Sequence, residues 1–183
     1  MRQAAWEAAT LRLLDDVYAF AATGPRTQAG WPSDALAVMN RAVADPRGWL
    51  TLDWDEKNTE KLKLDGPSFP FLLMSPETMA GRLNPVTVET AARLLVIMTY
   101  EWERVGPDGA TVDAPADART LLGRYGGGEV SYYSNISAAR TSPSPDLTAG
   151  VNGWTALTSY VGDCGIVVVS PEEVGVFWSF DAH

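Results

Sequence analysis

The sequence predicts an α+β fold, in which N-terminal helices and one long helix pack on a mostly antiparallel sheet that a C-terminal hairpin closes. Three observations lead to this prediction. Helical periodicity dominates the first part of the chain, strand alternation dominates the last part, and the two do not alternate as they do in parallel sheets. With 183 residues and 46% hydrophobic content, one domain spanning 1–183 is expected to bury a core of its own.

The N-terminal region is expected to hold two helices and two short extended segments. Apolar residues recur at helical spacing over 3–22, and Gly24 followed by proline ends that helix. A second helix begins at the Pro-Ser-Asp sequence of 32–34 and continues to about residue 43. Bulky and smaller polar residues alternate over 49–54, which predicts a strand. The apolar stretch 69–74 contains a proline and is followed by another, so it is predicted to be an edge strand or an extended packing segment.

The longest predicted helix covers 85–104. Asn84 is a suitable N-cap, and Pro85 fits the first helical position. A wide apolar stripe then follows, formed by Val88, Ala91, Ala92, Leu94, Leu95, Ile97, Met98 and Trp102. A stripe of this width indicates that the helix lies against the sheet.

The C-terminal part is predicted to contain a short helix over 115–124, a strand over 129–134, and a hairpin of strands 166–169 and 174–180. Side chains alternate between the two faces of a strand. The larger apolar residues of the last strand therefore share one face, while Phe177 points to the opposite face. If the first face is the core, Phe177 is exposed.

The charge of the chain is strongly acidic, with a formal net charge of −9. No Lys or Arg follows Arg140, yet five acids do, namely Asp146, Asp163, Glu172, Glu173 and Asp181. This balance argues against nucleic acid as a ligand, because binding to phosphates needs clustered basic residues. The N-terminal residues do not resemble a secretion signal, and no window is apolar enough for a membrane span. A cytoplasmic protein without membrane contact is expected.

Residue types that carry catalysis or bind metals are scarce. The one histidine, His183, is the last residue, where chains are usually frayed. Catalysis through a histidine and ordinary zinc sites are therefore not expected. Cys164 begins an apolar run and is expected to be a buried structural thiol. Asp53 and Asp55 would share one face of a strand, but they lack the spacing of a calcium loop and are read as a solvated strand end. We therefore predict no catalytic set, no metal and no cofactor.

The first functional hypothesis is a protein-binding domain. In overall character the chain is small, acidic and aromatic-rich, and in this respect it resembles the immunity proteins that bacteria pair with polymorphic toxins. This resemblance implies a surface that occludes the active site of a basic toxin or enzyme, with acids steering the partner and aromatic residues anchoring it. The expected contact residues are Asp163, Glu172, Glu173, Phe177 and Asp181, with a second patch of Asp53, Trp54 and Asp55.

The alternative hypothesis is a small-molecule binding domain or an enzyme without histidine. Its pocket would lie between the 85–104 helix and the sheet. The expected lining residues are Trp102, Tyr132, Tyr133, Trp154 and Tyr160, with Arg140 or Arg124 holding an anionic group. A homo-oligomer, in which the closing hairpin pairs with its own copy along an edge strand, is a third possibility.

Overall fold

The structure is a computed structural model that describes residues 2–15, 18–27, 30–55, 64–99, 114–126 and 128–181. Within these ranges, five helices pack on an open, six-stranded, antiparallel sheet. This confirms the predicted α+β class. None of the helices in these ranges is long and apolar enough to cross a membrane.

The sheet has the strand order β2-β1-β6-β5-β4-β3, and every neighbouring pair is antiparallel. Its strands are β1 (Ala19–Pro25), β2 (Leu52–Asp53), β3 (Asn84–Val86), β4 (Ser131–Ser134), β5 (Gly162–Val169) and β6 (Glu173–Asp181). The predicted C-terminal hairpin is confirmed as β5 and β6. It forms the centre of the sheet, however, so both of its strands already have neighbours on each side. Pairing of this hairpin with a second copy through a free edge is therefore excluded.

Helices cover both faces of the sheet. They are α1 (Gln3–Leu14), α2 (Trp31–Met39), α3 (Pro76–Arg82), α4 (Val88–Met98) and α5 (Ala114–Leu122). α1, α4 and α5 pack together on what we call the first face, and α2 and α3 pack on the second face. The sheet is thus the middle of three layers, with a separate hydrophobic core on each side.

The alternation predicted for the last strand is confirmed, but the predicted exposure of Phe177 is wrong. Val174, Val176 and Trp178 lie in the second-face core. Phe177 lies in the first-face core and is fully buried. The reason is the second helical layer. A strand that is covered on both faces buries its odd-numbered and its even-numbered residues, so alternation alone does not identify a solvent-facing side.

Several predicted boundaries also differ from the structure. The second helix ends at Met39 and not near residue 43, and the first strand of the hairpin begins at Gly162 and not at residue 166. The helix expected over 3–22 ends at Leu14, and the chain then enters β1, because Ala19 and Phe20 fill the sheet between β2 and β6. The strand expected over 49–54 shortens to the two residues of β2. The long helix starts later than predicted, because 84–86 pair with β4 and Thr87 is the N-cap, accepting a hydrogen bond from Thr90 N. Residues 100–104 lie outside the described part of the chain.

Two glycines permit close packing at the central hairpin. A Cβ on Gly165 would lie 2.2 Å from the ring of Trp178, and one on Gly175 would lie 2.0 Å from the hydroxyl of Tyr125. Both distances are much shorter than a van der Waals contact between nonbonded heavy atoms. The large rings of the two cores therefore reach the backbone of β5 and β6 only because these positions lack side chains.

Candidate functional site

Asp163, a predicted contact residue, is buried in the second-face core. Its Oδ1 accepts hydrogen bonds from Asn135 Nδ2 at 2.7 Å and Trp178 Nε1 at 3.2 Å. Its Oδ2 accepts from the backbone N–H groups of Leu157 and Thr158, both at 2.7 Å, and from the Thr158 hydroxyl at 3.1 Å. Burial raises the pKa of Asp163, and these hydrogen bonds oppose the rise. Asp163 therefore fixes the loop before β5 and is not available to a partner.

Glu173, another predicted contact residue, is also buried and forms ion pairs. The guanidinium of Arg124 donates to both of its carboxylate oxygens, at 3.0 and 3.2 Å, and Arg47 Nε donates to Oε1 at 2.8 Å. Asp45 Oδ2 lies 2.7 Å from Arg124 Nη1. We call Asp45, Arg47, Arg124 and Glu173 the ion cluster. Two cations and two anions make it neutral, and only Arg47 has appreciable exposure, at 36% of its side chain.

Aromatic rings enclose the ion cluster. The Arg124 Cζ atom lies 4.7 Å from the ring centroid of Trp49 and 5.0 Å from that of Trp6. Burial alone would lower the pKa of Arg124, but hydrogen bonds to Asp45 and Glu173 outweigh it and raise the pKa above the ordinary arginine value. Arg124 therefore stays charged and paired. It does not serve as a free anion-binding group, which corrects the role that the sequence suggested for it.

The second predicted patch divides between buried and exposed residues. Asp53 is held by the guanidinium of Arg41, and Asp55 accepts a hydrogen bond from the Tyr160 hydroxyl at 3.0 Å. Trp54 is 38% exposed and meets Tyr18 edge-on. The expectation of a solvated strand end is wrong for both carboxylates, because each forms a contact inside the fold. Cys164, in contrast, is buried as predicted.

The other two predicted contact residues of the first patch are Glu172, which precedes β6, and Asp181, which ends it. Glu172 lies in the β5–β6 turn and is exposed. Asp181 is the last residue of the strand.

The residues of the predicted aromatic pocket do not converge. Tyr132 borders the first-face core, whereas Tyr133 stacks on Trp31 at 4.3 Å on the second face. Tyr160 stacks on Phe180 at 4.7 Å. The remaining residues lie away from these tyrosines as well. Trp154 pairs with Ile136 through an isolated β-bridge, Arg140 is exposed, and Trp102 lies outside the described residues. The space between α4 and the sheet is filled by buried side chains of the first-face core, among them Leu94, Leu95, Ile97 and Met98.

A cavity of about 370 Å³ lies instead along the outer edge of β1, and we call it the β1 groove. It is lined by Phe20, Ala22, Thr23, Val38, Arg41, Val43, Ala44, Asp45, Gly48, Trp49, Thr51 and Asp53. The sequence does not predict this groove, because residues 19–22 suit a helix on propensity. The Asp-Pro-Arg-Gly sequence of 45–48, which is typical of a turn, was the one available signal, since Asp45 and Gly48 form part of the far wall.

Exposed carboxylates gather at the end of the sheet where β6 begins. Ser131 of β4 is level with Val169 of β5, so Glu129 lies near the β5–β6 turn that carries Glu172. β3 ends at the same end of the sheet, and α4 follows it directly with Glu89 in its first turn. Glu89 and Asp146 line one open hollow, together with Arg93. We call Glu89, Glu129, Asp146 and Glu172 the acidic rim.

The acidic rim has no ion pair within the described ranges, whereas most of the buried acids are paired with an arginine. Hydrogen bonds from the backbone and hydroxyl of Thr148 lower the pKa of Asp146, which keeps that carboxylate ionised near neutral pH. Five arginines pair instead with buried or half-buried acids, namely Arg12, Arg26, Arg41, Arg47 and Arg124. Arginines thus neutralise most of the internal acids, while the four carboxylates of the rim, with Arg93 beside two of them, keep a net negative charge.

Comparison with known proteins finds no matching family model, no similar curated protein and no similar solved structure. Within the part of the chain that the structure describes, no three His, Cys, Asp or Glu side chains lie close enough together to hold a metal ion.

Proposed function

We propose that this chain is a non-catalytic binding domain that recognises a basic protein, as an immunity-type inhibitor does when it occludes a toxin or an enzyme. The acidic rim carries the proposal. Its four carboxylates are exposed at one end of the sheet. Three arginines of that end, Arg26, Arg47 and Arg124, are held by other acids, and Arg93 lies beside Glu89 and Asp146.

The contact surface proposed here differs from the one that the sequence suggested. Glu172 is retained, since it is exposed, while Asp163, Glu173 and Phe177 are replaced because their side chains are buried. Glu129, Glu89 and Asp146 take their place. Clustered charge of one sign raises the rate at which an oppositely charged protein associates, and this effect weakens as salt screens it.

The titratable groups inside the fold support a binding role over a catalytic one. The carboxylate of Asp163 accepts five hydrogen bonds, and the carboxylates of Asp45 and Glu173 contact a guanidinium. Burial raises the pKa of Cys164 and of Tyr125, which disfavours the nucleophilic forms of both. Each of these groups stabilises the fold through the contacts it already makes.

The test is co-purification of the tagged protein from its host at low and moderate salt, followed by mass spectrometry and reconstitution with the purified partner. We expect a stoichiometric basic protein whose binding weakens as salt rises. The double variant Glu129→Lys/Glu172→Lys should lose it. The control Asp15→Lys/Asp65→Lys changes the net charge equally at exposed acids outside the acidic rim and should keep it. Equal loss in both variants, or recovery of a small molecule in place of a protein, would contradict the proposal.

A further inference from the structure

Asn152 and Gly153 form the one Asn-Gly pair in the sequence. Asparagine is among the thermally labile residues. When glycine follows it, the backbone nitrogen of the glycine can attack the asparagine side chain, because no Cβ blocks the approach. The pair lies in a short stretch that belongs to no helix or strand, between a turn that ends at Gly150 and the isolated bridge of Trp154. Its backbone is therefore not fixed by a hydrogen-bonded ladder.

The groups that would react are not engaged elsewhere in the fold. The side chain of Asn152 is exposed. Within the described chain, no hydrogen bond involves its amide, its backbone carbonyl or the N–H of Gly153. The carbonyl of Gly153, in contrast, accepts from Ser137 N at 2.8 Å. The peptide group between Asn152 and Gly153 can therefore turn toward the side chain without breaking a hydrogen bond, which permits the close approach that the reaction needs.

The other asparagines that the structure describes each lack one of these conditions. Asn135 is fully buried, and its amide donates three hydrogen bonds, at 2.7, 2.9 and 3.0 Å. Asn84 precedes a proline, which has no N–H. The residue after Asn40 already donates its N–H to the carbonyl of Val38 at 3.0 Å. Local structure therefore distinguishes Asn152 from all three.

The surroundings of Asn152 give a negative charge at this position a consequence. Asn152 and Gly153 line a cavity of about 220 Å³, and Asp146 of the acidic rim lines the same cavity. Because the Asn152 side chain is exposed, water reaches it. A carboxylate at position 152 would lie beside the rim and add to its charge.

We propose that Asn152 is a site of spontaneous deamidation, at which the chain acquires a carboxylate beside Asp146 as it ages. The backbone nitrogen of Gly153 gives its proton to water or hydroxide and attacks Cγ of Asn152. The new N–Cγ bond closes a succinimide ring, the Cγ–Nδ2 bond breaks, and Nδ2 leaves with a proton as ammonia. Water then opens the ring. Cleavage of the N–Cγ bond gives aspartate, and cleavage of the bond from the nitrogen to the main-chain carbonyl carbon gives isoaspartate.

This modification goes beyond the proposed function, and its chemistry does not depend on a partner. Either product makes the formal net charge more negative by one. Only the consequence for binding rests on the proposed function: added charge beside the acidic rim would speed the association of a basic partner at low salt.

The test follows Asn152 in the purified protein at mildly alkaline pH, at a temperature well below unfolding. The reference is an acetylated peptide of residues 149–156, which reacts without the constraints of the fold. Released ammonia and mass spectrometry of chymotryptic peptides measure the replacement of amide by carboxyl. We expect Asn152 to convert at a rate no more than tenfold below that of the reference peptide, while Asn40, Asn84 and Asn135 keep their amides.

A substitution at the attacking residue separates this mechanism from unspecific hydrolysis. Gly153→Ala places a Cβ beside the nitrogen and should slow conversion at least tenfold. That Cβ would lie 3.2 Å from Ser137 Oγ, a side chain that can shift. Gly81→Ala, at a position with open space around it, is the matched control and should convert as the wild type does. Circular dichroism and thermal unfolding establish that both variants are folded, and if Gly153→Ala is not, the comparison with the peptide decides.

The inference is overturned if Asn152 converts more than tenfold more slowly than the reference peptide. It is also overturned if Asn40, Asn84 or Asn135 converts as fast as Asn152, or if folded Gly153→Ala converts as fast as the wild type. None of these measurements involves a partner. A protein that deamidates at Asn152 but binds no basic protein would contradict the proposed function alone, and a partner bound by a protein that keeps its Asn152 amide would contradict this inference alone.

Discussion

Replacement of Arg124 by leucine removes the central cation of the ion cluster. The guanidinium is fully buried and contacts Glu173 and Asp45, whose side chains are 5% and 4% exposed. Breaking a buried pair typically costs about 3–5 kcal/mol, because it leaves an uncompensated charge. Partial compensation places the expected cost in the lower half of that range: Glu173 keeps Arg47, and Asp45 keeps the N–H groups of Arg47 and Trp49. The lost cation–π contacts with Trp6 and Trp49 add about 0.5–2 kcal/mol.

We therefore expect Arg124→Leu to lower the free energy of unfolding by about 4 kcal/mol. For a chain of this length, that corresponds to a fall in Tm of roughly 8–16 °C. The assay is urea unfolding followed by circular dichroism, with a thermal scan as a second measurement. Arg119→Leu, at an exposed position on α5, is the control and should stay within about 0.5 kcal/mol of the wild type.

A third variant separates loss of the charge pair from loss of packing. Adding Asp45→Asn and Glu173→Gln to Arg124→Leu removes the uncompensated anions and should recover part of the stability. A cost below about 1 kcal/mol for Arg124→Leu, or no recovery in the triple variant, would show that the charges of the ion cluster do not stabilise the fold.

Three further predictions concern the central hairpin. Gly165→Ala should destabilise the protein by about 1–3 kcal/mol in urea unfolding, because its Cβ would lie 2.2 Å from the ring of Trp178. The control Gly81→Ala, in α3 with open space around it, should stabilise the protein by about 0.5–1 kcal/mol. Equal effects of the two substitutions would contradict the close packing of Trp178 on Gly165. Phe177→Ala should cost about 3–5 kcal/mol in the same assay, and a nearly neutral result would return Phe177 to the surface. Burial raises the pKa of the Cys164 thiol, so a thiol reagent at mildly alkaline pH should label it only at the rate of unfolding; rapid labelling of the native protein would show that the site is open.

The sequence predicted the elements that depend on local pattern. The hairpin of β5 and β6 follows from two apolar runs around a Pro-Glu-Glu turn, and α5 follows from its short periodic stretch. Local pattern did not separate α1 from β1, because the alanines of 19–22 suit a helix on propensity. Their pairing with β2 and β6 overrides that propensity, and such pairing depends on residues more than 30 and more than 150 positions away.

The candidate site was less predictable for a related reason. Whether Phe177 and Glu173 are exposed depends on the helices that cover the first face, and the number of helical layers is not encoded in the alternation of β6. The contacts of Glu173 join residues far apart in sequence, with Arg124 at a separation of 49 and Arg47 at 126. The acidic balance of the C-terminal part was visible from composition, but which acids pair internally is determined by the tertiary structure.

Steering of a basic partner protein by the acidic rim can be measured as the association rate constant of the purified partner with the wild type and with Glu129→Lys/Glu172→Lys, at low and moderate salt. We expect fast association that slows as salt rises for the wild type, and slow, nearly salt-independent association for the variant. Equal rates and equal salt dependence for the two proteins would contradict it.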